Sequence, residues 1–397
     1  MLPNKIIRKN IANSVETLVE AKEYPRVIIN DHKFRLDNFT DALILNQAYN
    51  SDRKNLIESV LLVPRSTKHN MSSTLSLQYL VTEQDFEPIL YYPRYWHGNT
   101  FLVRYLLLIG NYDKIRVLLY LISSLMIIFL GAKLYQRTNL LSTLLFFLGF
   151  FSTNIFISQF SIQFFPVLML TLIFSIFLCK PTENHKQILL LFFIFGSLTS
   201  YFDLLTTPIL TLCIPLIVYF MVNQNKQNDE PIFLGIKKIF SSSILWAMGY
   251  AFTWFSKWVI TNIFTSYNAI KNGFNSVLIR SSGSVNNDFS RIDAIKINLE
   301  LFDSNYILIV TIFVIIIATL YFNKKGLKTS LMYVLIGLIP LVWYFVLANH
   351  SYIHFWYTYR SLMVTFICIP LIFNSLIDFN KPTFSSIITK KSAKYKK

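Results

Sequence analysis

From about residue 115 to residue 377 the chain repeats one pattern: a run of apolar side chains, then a short polar connection. A helix needs roughly 20 mainly apolar residues to cross the roughly 30 Å of hydrocarbon in a bilayer. Within that layer every backbone N–H and C=O has to be paired by the protein itself, which leaves helices or closed barrels. About nine runs approach the required length: 115–132, 140–157, 165–178, 188–202, 205–222, 239–264, 306–322, 331–347 and 362–377. The predicted fold class is therefore an all-α polytopic membrane protein. With 53% of its residues hydrophobic and 15% charged, the chain is too apolar for an ordinary soluble domain. Its 36 Phe and 22 Tyr suit lipid-facing helices with aromatic belts at the interfaces.

A net charge of +16 would fit a nucleic-acid binder if the cations formed one patch, but they are spread over short connections between apolar runs. They alternate. Lys133 and Arg137, Lys180 and Lys186, Lys226 with Lys237 and Lys238, and Lys324, Lys325 and Lys328 fill every second connection. The tail adds Lys390, Lys391, Lys394, Lys396 and Lys397. The positive-inside rule makes these connections cytoplasmic and the others external. Everything before residue 115 is then external too, although no apolar run precedes it to carry it across. The expectation is that the natural chain has one further N-terminal span, giving an even number with both ends inside.

On this reading residues 1–97 form an extracytoplasmic, α-rich region. "NSVETLVEAKEY" has the Ser/Thr-x-x-Glu pattern of a capped helix start, and "RLDNFTDALILNQAY" repeats apolar positions at helical spacing. Residues 98–113 are too short to span and read as a helix lying in the outer interface, with Arg104 reaching for water. Residues 114–380 are the transmembrane bundle, with an external loop at 265–304, and 381–397 a basic cytoplasmic tail. Cys179, Cys213 and Cys368 sit singly in apolar runs, without CxxC spacing, and suggest neither a disulfide framework nor a metal site.

The centres of the runs hold almost no ionisable residue, whereas the polar path of an ion-coupled transporter keeps such groups near the midplane. The ionisable groups concentrate at the outer rim, so the site is expected there. Asp37 and Asp41, four apart, share one face of a helix. Either could be a general base toward a hydroxyl, or they could serve as cap and first-turn carboxylate. Asp203, in the "SYFDLLTTP" turn, could assist the base, hold a divalent cation such as Mg²⁺ or Mn²⁺, or cap the following span. Arg94, Tyr95, Trp96 and His97, together with Lys257, His350, His354 and Arg360, make a cationic and aromatic set suited to a phosphate at the membrane surface. Lys257, between Trp254 and Trp258, could instead snorkel from an aromatic belt. His350 and His354 have the spacing of a helical zinc pair but lack an evident third ligand. No P-loop, GxSxG, HExxH or dinucleotide fingerprint occurs.

Together, "RLDNFTDALILN", "YYPRYWHGNTFLVRYLLL", "GSLTSYFDLLTTPILTL" and "NHSYIHFWYTYR" resemble a family of polytopic membrane proteins of Gram-positive bacteria, over nearly the whole chain. The layout is similar to the GT-C superfamily of membrane glycosyltransferases. That resemblance implies sugar transfer from a polyprenyl-phosphate carrier at the outer face of the cell membrane, with an acidic residue of the first external loop as base. Carried over, that loop is the region of Asp37 and Asp41, although the acidic motif of the superfamily usually follows a first span that this sequence lacks. The expected function is inverting glycosyl transfer onto a cell-envelope glycan acceptor. The alternatives are a transporter or flippase of lipid-linked glycans, or a noncatalytic partner in envelope assembly.

Overall fold

The computed structural model describes residues 2–27, 34–52, 55–67, 70–83, 89–181, 184–224, 230–283, 289–302 and 322–378. The expected span at 306–322, except for its last residue, and the lysine-rich tail lie outside the described residues.

The described chain is mostly helical, and asparagine or aspartate side chains start many of the helices by accepting an otherwise orphaned backbone N–H. The N-terminal region contains α1 (Asn4–Ala12), α2 (Val15–Ala21), α3 (Asn38–Tyr49), α4 (Leu56–Leu62) and α5 (Ser73–Glu83). Asp37 caps α3 and Asn55 caps α4. α6 (Gly98–Leu106) follows, and then α7 (Tyr112–Arg137) and α8 (Leu140–Phe151), capped by Asn111 and Asn139. The short α9 (Phe156–Gln159) leads to α10 (Phe165–Leu178), α11 (His185–Phe202), α12 (Leu210–Val222) and the long α13 (Ile232–Phe264). Then come α14 (Ala269–Ser281), α15 (Arg291–Leu299), α16 (Leu327–Gly337), α17 (Ile339–Val346), α18 (Ala348–Ile353), α19 (Phe355–Thr358) and α20 (Met363–Leu376). Among the described residues four helical stretches are long and apolar enough to cross a membrane: Tyr112–Arg137, Ile232–Phe264, Leu327–Val346 and Phe355–Leu376. α8, α10 and α12 are apolar but shorter.

Several expectations change. The chain is not purely helical, because β1 (Pro64–Ser66) and β2 (Ile89–Tyr91) pair antiparallel, with Pro64 opposite Tyr91. The run expected to span 140–157 stops at Phe151, where the backbone turns through Asn154 at φ 53°. A positive φ breaks the helical ladder, and Asn tolerates it better than most residues. The run expected from 205 becomes helical only at Leu210, because Leu205 takes φ 67° and Asp203 binds Thr206 instead of letting the turn wind up. The external loop at 265–304 folds into α14 and α15, the latter closed by a capping box between Ser290 and Asp293. α2 forms where expected without a side-chain cap, because the Ser14 hydroxyl accepts the Tyr112 N–H at 2.9 Å and donates to the Asn10 carbonyl.

The apolar helices run back and forth between two ends. At one end lie the starts of α7 and α10, the ends of α11 and α13, and α17 to α19; Asp41–Tyr112 and Trp96–Thr253 hydrogen bonds and the Tyr24–Trp356 ring contact join them to the N-terminal region, and His350 bonds the Leu205 carbonyl after α11. At the other end the Asn374 amide reaches Ser142, Asn323 reaches the Leu376 carbonyl, and Lys238 pairs with Glu230. The connections read from sequence as external thus gather at one end with the N-terminal region, and lysine-bearing connections gather at the other.

α11 and α13 make the most extensive helix contact. Gly196 lies against the Trp246 carbonyl and Gly249 against the Phe193 carbonyl, so a Cβ at either position would collide with the facing backbone. Small residues permit this close approach in apolar surroundings, where packing supplies most of the attraction. Gly196→Ala and Gly249→Ala should each lower unfolding stability in detergent by roughly 1–3 kcal/mol through overpacking. Unchanged denaturation midpoints in both variants would disprove the contact.

Candidate functional site

The segment Tyr92–His97 is clamped across the C-terminal half of α13. The Arg94 carbonyl accepts from the indole N–H groups of Trp254 at 2.7 Å and Trp258 at 3.0 Å, while Trp96 donates to the Thr253 carbonyl at 2.6 Å. Tyr95 stacks on Trp254 with ring centroids 5.9 Å apart. The rings gathered before residue 98 thus form a wall around buried cations. The chain enters α6 through His97 at φ 56°, and Gly98 follows because Tyr201 leaves no room for a Cβ there.

The two neighbouring carboxylates have different surroundings. Asp41 accepts from Tyr112 Oη at 2.7 Å, Ser161 Oγ at 3.2 Å, Ile162 N at 3.2 Å and Gln163 N at 3.0 Å. Burial raises its pKa, and these donors oppose the rise. Both oxygens are engaged in holding the 161–163 turn and the start of α7. Asp37 accepts from Thr40 N at 3.0 Å as the cap of α3. Burial pushes its carboxyl up to about 7, against the pull of Thr40 and the more distant Arg360 charge, while the Asp41 charge adds to the rise. Asp203, also buried, accepts from Thr206 N at 2.9 Å and Thr206 Oγ1 at 2.6 Å. Burial pushes it up to about 6. It braces the 203–206 turn ahead of α12 without reaching that helix's first residues.

The cations face these acids without direct ion pairs. Arg360 is 1% exposed; its Nε donates to the Tyr357 carbonyl at 3.1 Å, and its guanidinium carbon lies 3.5 Å from the Phe164 ring centroid. Both of its terminal nitrogens lack a hydrogen-bond partner. Arg280, from α14, lies over the Tyr95 ring at 5.4 Å, with Nη1 likewise unpartnered. Burial lowers its pKa, while Tyr92 acts in the opposite sense. Such groups are expensive to bury unless something compensates the charge. Lys257 does not snorkel: it is 0% exposed, donates to the Val60 carbonyl at 2.7 Å and sits over Trp96 at 5.1 Å.

The histidines are neutral. His97 Nε2 lies 3.0 Å from the Tyr92 carbonyl and His350 Nε2 lies 2.8 Å from the Leu205 carbonyl. A carbonyl only accepts, so both rings carry hydrogen on Nε2 and present an unpartnered Nδ1 lone pair. Burial pushes His97 down to about 3 and His354 to about 4, and it holds His350 well below the ordinary range, helped by the charge of Arg280.

The acids, arginines and α18 histidines centre on Tyr357, which feels the charges of Arg280, Asp37, Asp203 and Tyr92. Asp37, Asp203, Tyr95, His350, His354 and Arg360 of the expected set therefore share one neighbourhood. Asp41 is tied up beside it. Trp96, His97 and Lys257 occupy the opposite flank of the 92–97 segment, and Arg94 turns toward Tyr92 and toward Asn272 of α14, to which its Nε donates at 2.9 Å. Sequence reading did not single out Arg280, Phe164 or Tyr357. Arg280 stands in the polar 265–304 stretch, where its place in the last turn of an amphipathic run is the one local signal.

Among the described residues no group of three or more His, Cys, Asp or Glu side chains gathers as a metal site. His350 and His354 do lie close, with ring centroids 5.0 Å apart and planes tilted by 60°. Asp203 belongs to no such group among the described residues and spends its oxygens on Thr206, so the divalent cation suggested by its sequence position finds no ligand set there. Compared with protein-family models, curated proteins and solved structures, the chain matches none.

Asp37 and Asp41 should respond oppositely to amidation. Asp41→Asn places an amide N–H₂ against groups that donate to the native carboxylate, and should destabilise by about 1–3 kcal/mol. Asp37→Asn keeps a good cap. Because the folded-state pKa of Asp37 lies above its unfolded value near 3.9, its favourable contribution is complete below that value and lost as pH rises through about 7. The Asp37→Asn variant should match wild type in melting temperature at about pH 3 and exceed it by a growing margin between about pH 5 and pH 8. A wild type that gains stability over that range relative to the variant would contradict the burial of this carboxyl.

Proposed function

We propose that the protein is a multi-pass cell-membrane glycosyltransferase of GT-C-like layout, transferring sugar from a polyprenyl-phosphate donor to an envelope acceptor at the outer face. The observation that carries this reading is the buried Arg360 guanidinium, with both terminal nitrogens free, in the same neighbourhood as the elevated carboxyl of Asp37. A phosphate leaving group needs fixed cationic donors that are worth most where water is excluded. A base that removes a hydroxyl proton near neutral pH works best with a pKa near that pH.

In this mechanism Asp37 accepts the proton of the acceptor hydroxyl as its oxygen attacks the anomeric carbon. The bond from that carbon to the phosphate oxygen breaks, its electron pair leaves with the lipid phosphate, and the sugar is inverted. Arg360 and Arg280 neutralise the departing charge. His350 Nδ1, fixed as a lone pair, accepts a hydrogen bond from a sugar hydroxyl. Asp203 holds the turn that carries Leu205, and through the Leu205 carbonyl sets the tautomer of His350. Asp41 is assigned to positioning: its oxygens are already committed. The separation of the two ends of the bundle and the distribution of lysines support placing this site outside and the lysine-bearing connections inside.

Membranes supplied with a polyprenyl-phosphate sugar and envelope glycan test the proposal. Asp37→Asn should lower transfer at least about 100-fold, in the range of a lost general base, with normal abundance. Arg360→Gln should lower it comparably, and wild-type kcat/KM should rise with pH to a plateau above about 7. Full transfer by both variants would refute the assignment. Movement of lipid-linked glycan across the bilayer without a new glycosidic bond would favour the transporter reading.

A further inference from the structure

A cavity of about 430 Å³ opens on the flank of the 92–97 segment away from Asp37, Asp203, His350 and Arg360, none of which lines it. This is within the range of small-ligand pockets. Its apolar wall comes from Leu56, Val60, Pro64, Trp96, Phe101 and Tyr201. The wall continues outward as an unusually apolar surface: Leu56 is 63% exposed, Phe101 55% and Tyr105 46%. That surface adjoins the C-terminal half of α13, because Lys257 bonds the Val60 carbonyl and Trp96 bonds the Thr253 carbonyl. There Phe252 and Phe255 also point outward, exposed.

The other side of the cavity is polar, with Arg104 and Asp52 in its wall and Arg8 just behind Asp52. Arg104 Nη2 donates to Asn4 Oδ1 at 2.7 Å, and Asn4 Nδ2 donates to Asp52 Oδ2 at 2.7 Å. Arg8, which stands outside the cavity wall, pairs with Asp52 at 2.5 Å, so that carboxylate is already answered, and Arg104 has no ion pair of its own among the described residues. Arg104, Asn4 and Asp52 all line the cavity. An apolar slot that opens onto a greasy surface and ends in an excess cation complements an amphiphile with one hydrocarbon tail in the slot and an anionic head at Arg104. Charge and apolar burial act together at such interfacial sites.

We infer that this cavity is a binding site for an anionic phospholipid of the bilayer, separate from the Asp37–Arg360 neighbourhood. The inference does not depend on glycosyl transfer, only on the protein residing in a membrane.

The full chain purified in mild detergent from phospholipid-containing membranes should retain one anionic phospholipid per chain by native mass spectrometry. Val60→Trp, which fills the slot, should reduce occupancy at least tenfold. Arg104→Gln should reduce the preference for phosphatidylglycerol over phosphatidylcholine severalfold. Should either variant fold poorly, wild type in phosphatidylglycerol vesicles carrying a photoactivatable acyl chain provides the second readout, with crosslinks expected on α4 and α6. The inference is overturned by equal lipid retention in folded variants, or by crosslinks that spare both α4 and α6.

Discussion

The Asp41 carboxylate is where three separate parts of the chain are tied together. It projects from α3, receives the Tyr112 hydroxyl from the first turn of α7, and receives two backbone N–H groups and a hydroxyl from the turn before α10. A buried carboxylate is tolerable when donors replace its lost water. Here the donors come from residues more than 70 positions away, so satisfying the charge and docking the N-terminal region are one event. Asp37, one helical turn earlier, inherits its position from that docking.

The remaining electrostatics at this end are unbalanced. Asp41 is fully provided with donors and Asp203 with those of Thr206, while Arg360 and Arg280 keep free nitrogens in the interior. Aromatic faces offset part of the cost, through Phe164 under Arg360 and Tyr95 under Arg280. The neutral histidines withhold any further charge. An end layer built this way keeps guanidinium nitrogens without acceptors among rings, and on those nitrogens the proposed phosphate site rests.

Much of this was legible in the sequence. α10 occupies the expected 165–178, and the apolar runs that became α7, α11 and α13 declared themselves by length. The rim residues Asp37, Asp203, His350, His354 and Arg360 were legible as a set, because ionisable groups beside apolar runs are rare and conspicuous. What could not be read is what long-range contacts decide. The helix stop at Phe151 and the unwound 203–209 turn depend on positive-φ residues and on partners far along the chain, and hydropathy continues smoothly through both. The difference between Asp37 and Asp41 is also invisible locally: both sit at the start of one helix, and only Tyr112 and the 161–163 turn distinguish them. Arg280 was hidden because a helix interrupted by polar residues looks like loop until α18 packs against it.

The 33 residues of α13 form a rod about 50 Å long at 1.5 Å per residue, against roughly 30 Å of hydrocarbon. In a bilayer the surplus has to emerge or be absorbed by leaning. The end that carries Trp254, Lys257 and Trp258 grips the 92–97 segment, so any lean is transmitted to the ring-and-cation layer as by a lever arm. Membrane thickness thereby becomes a mechanical input to the geometry of that layer, set by the lipids around the protein.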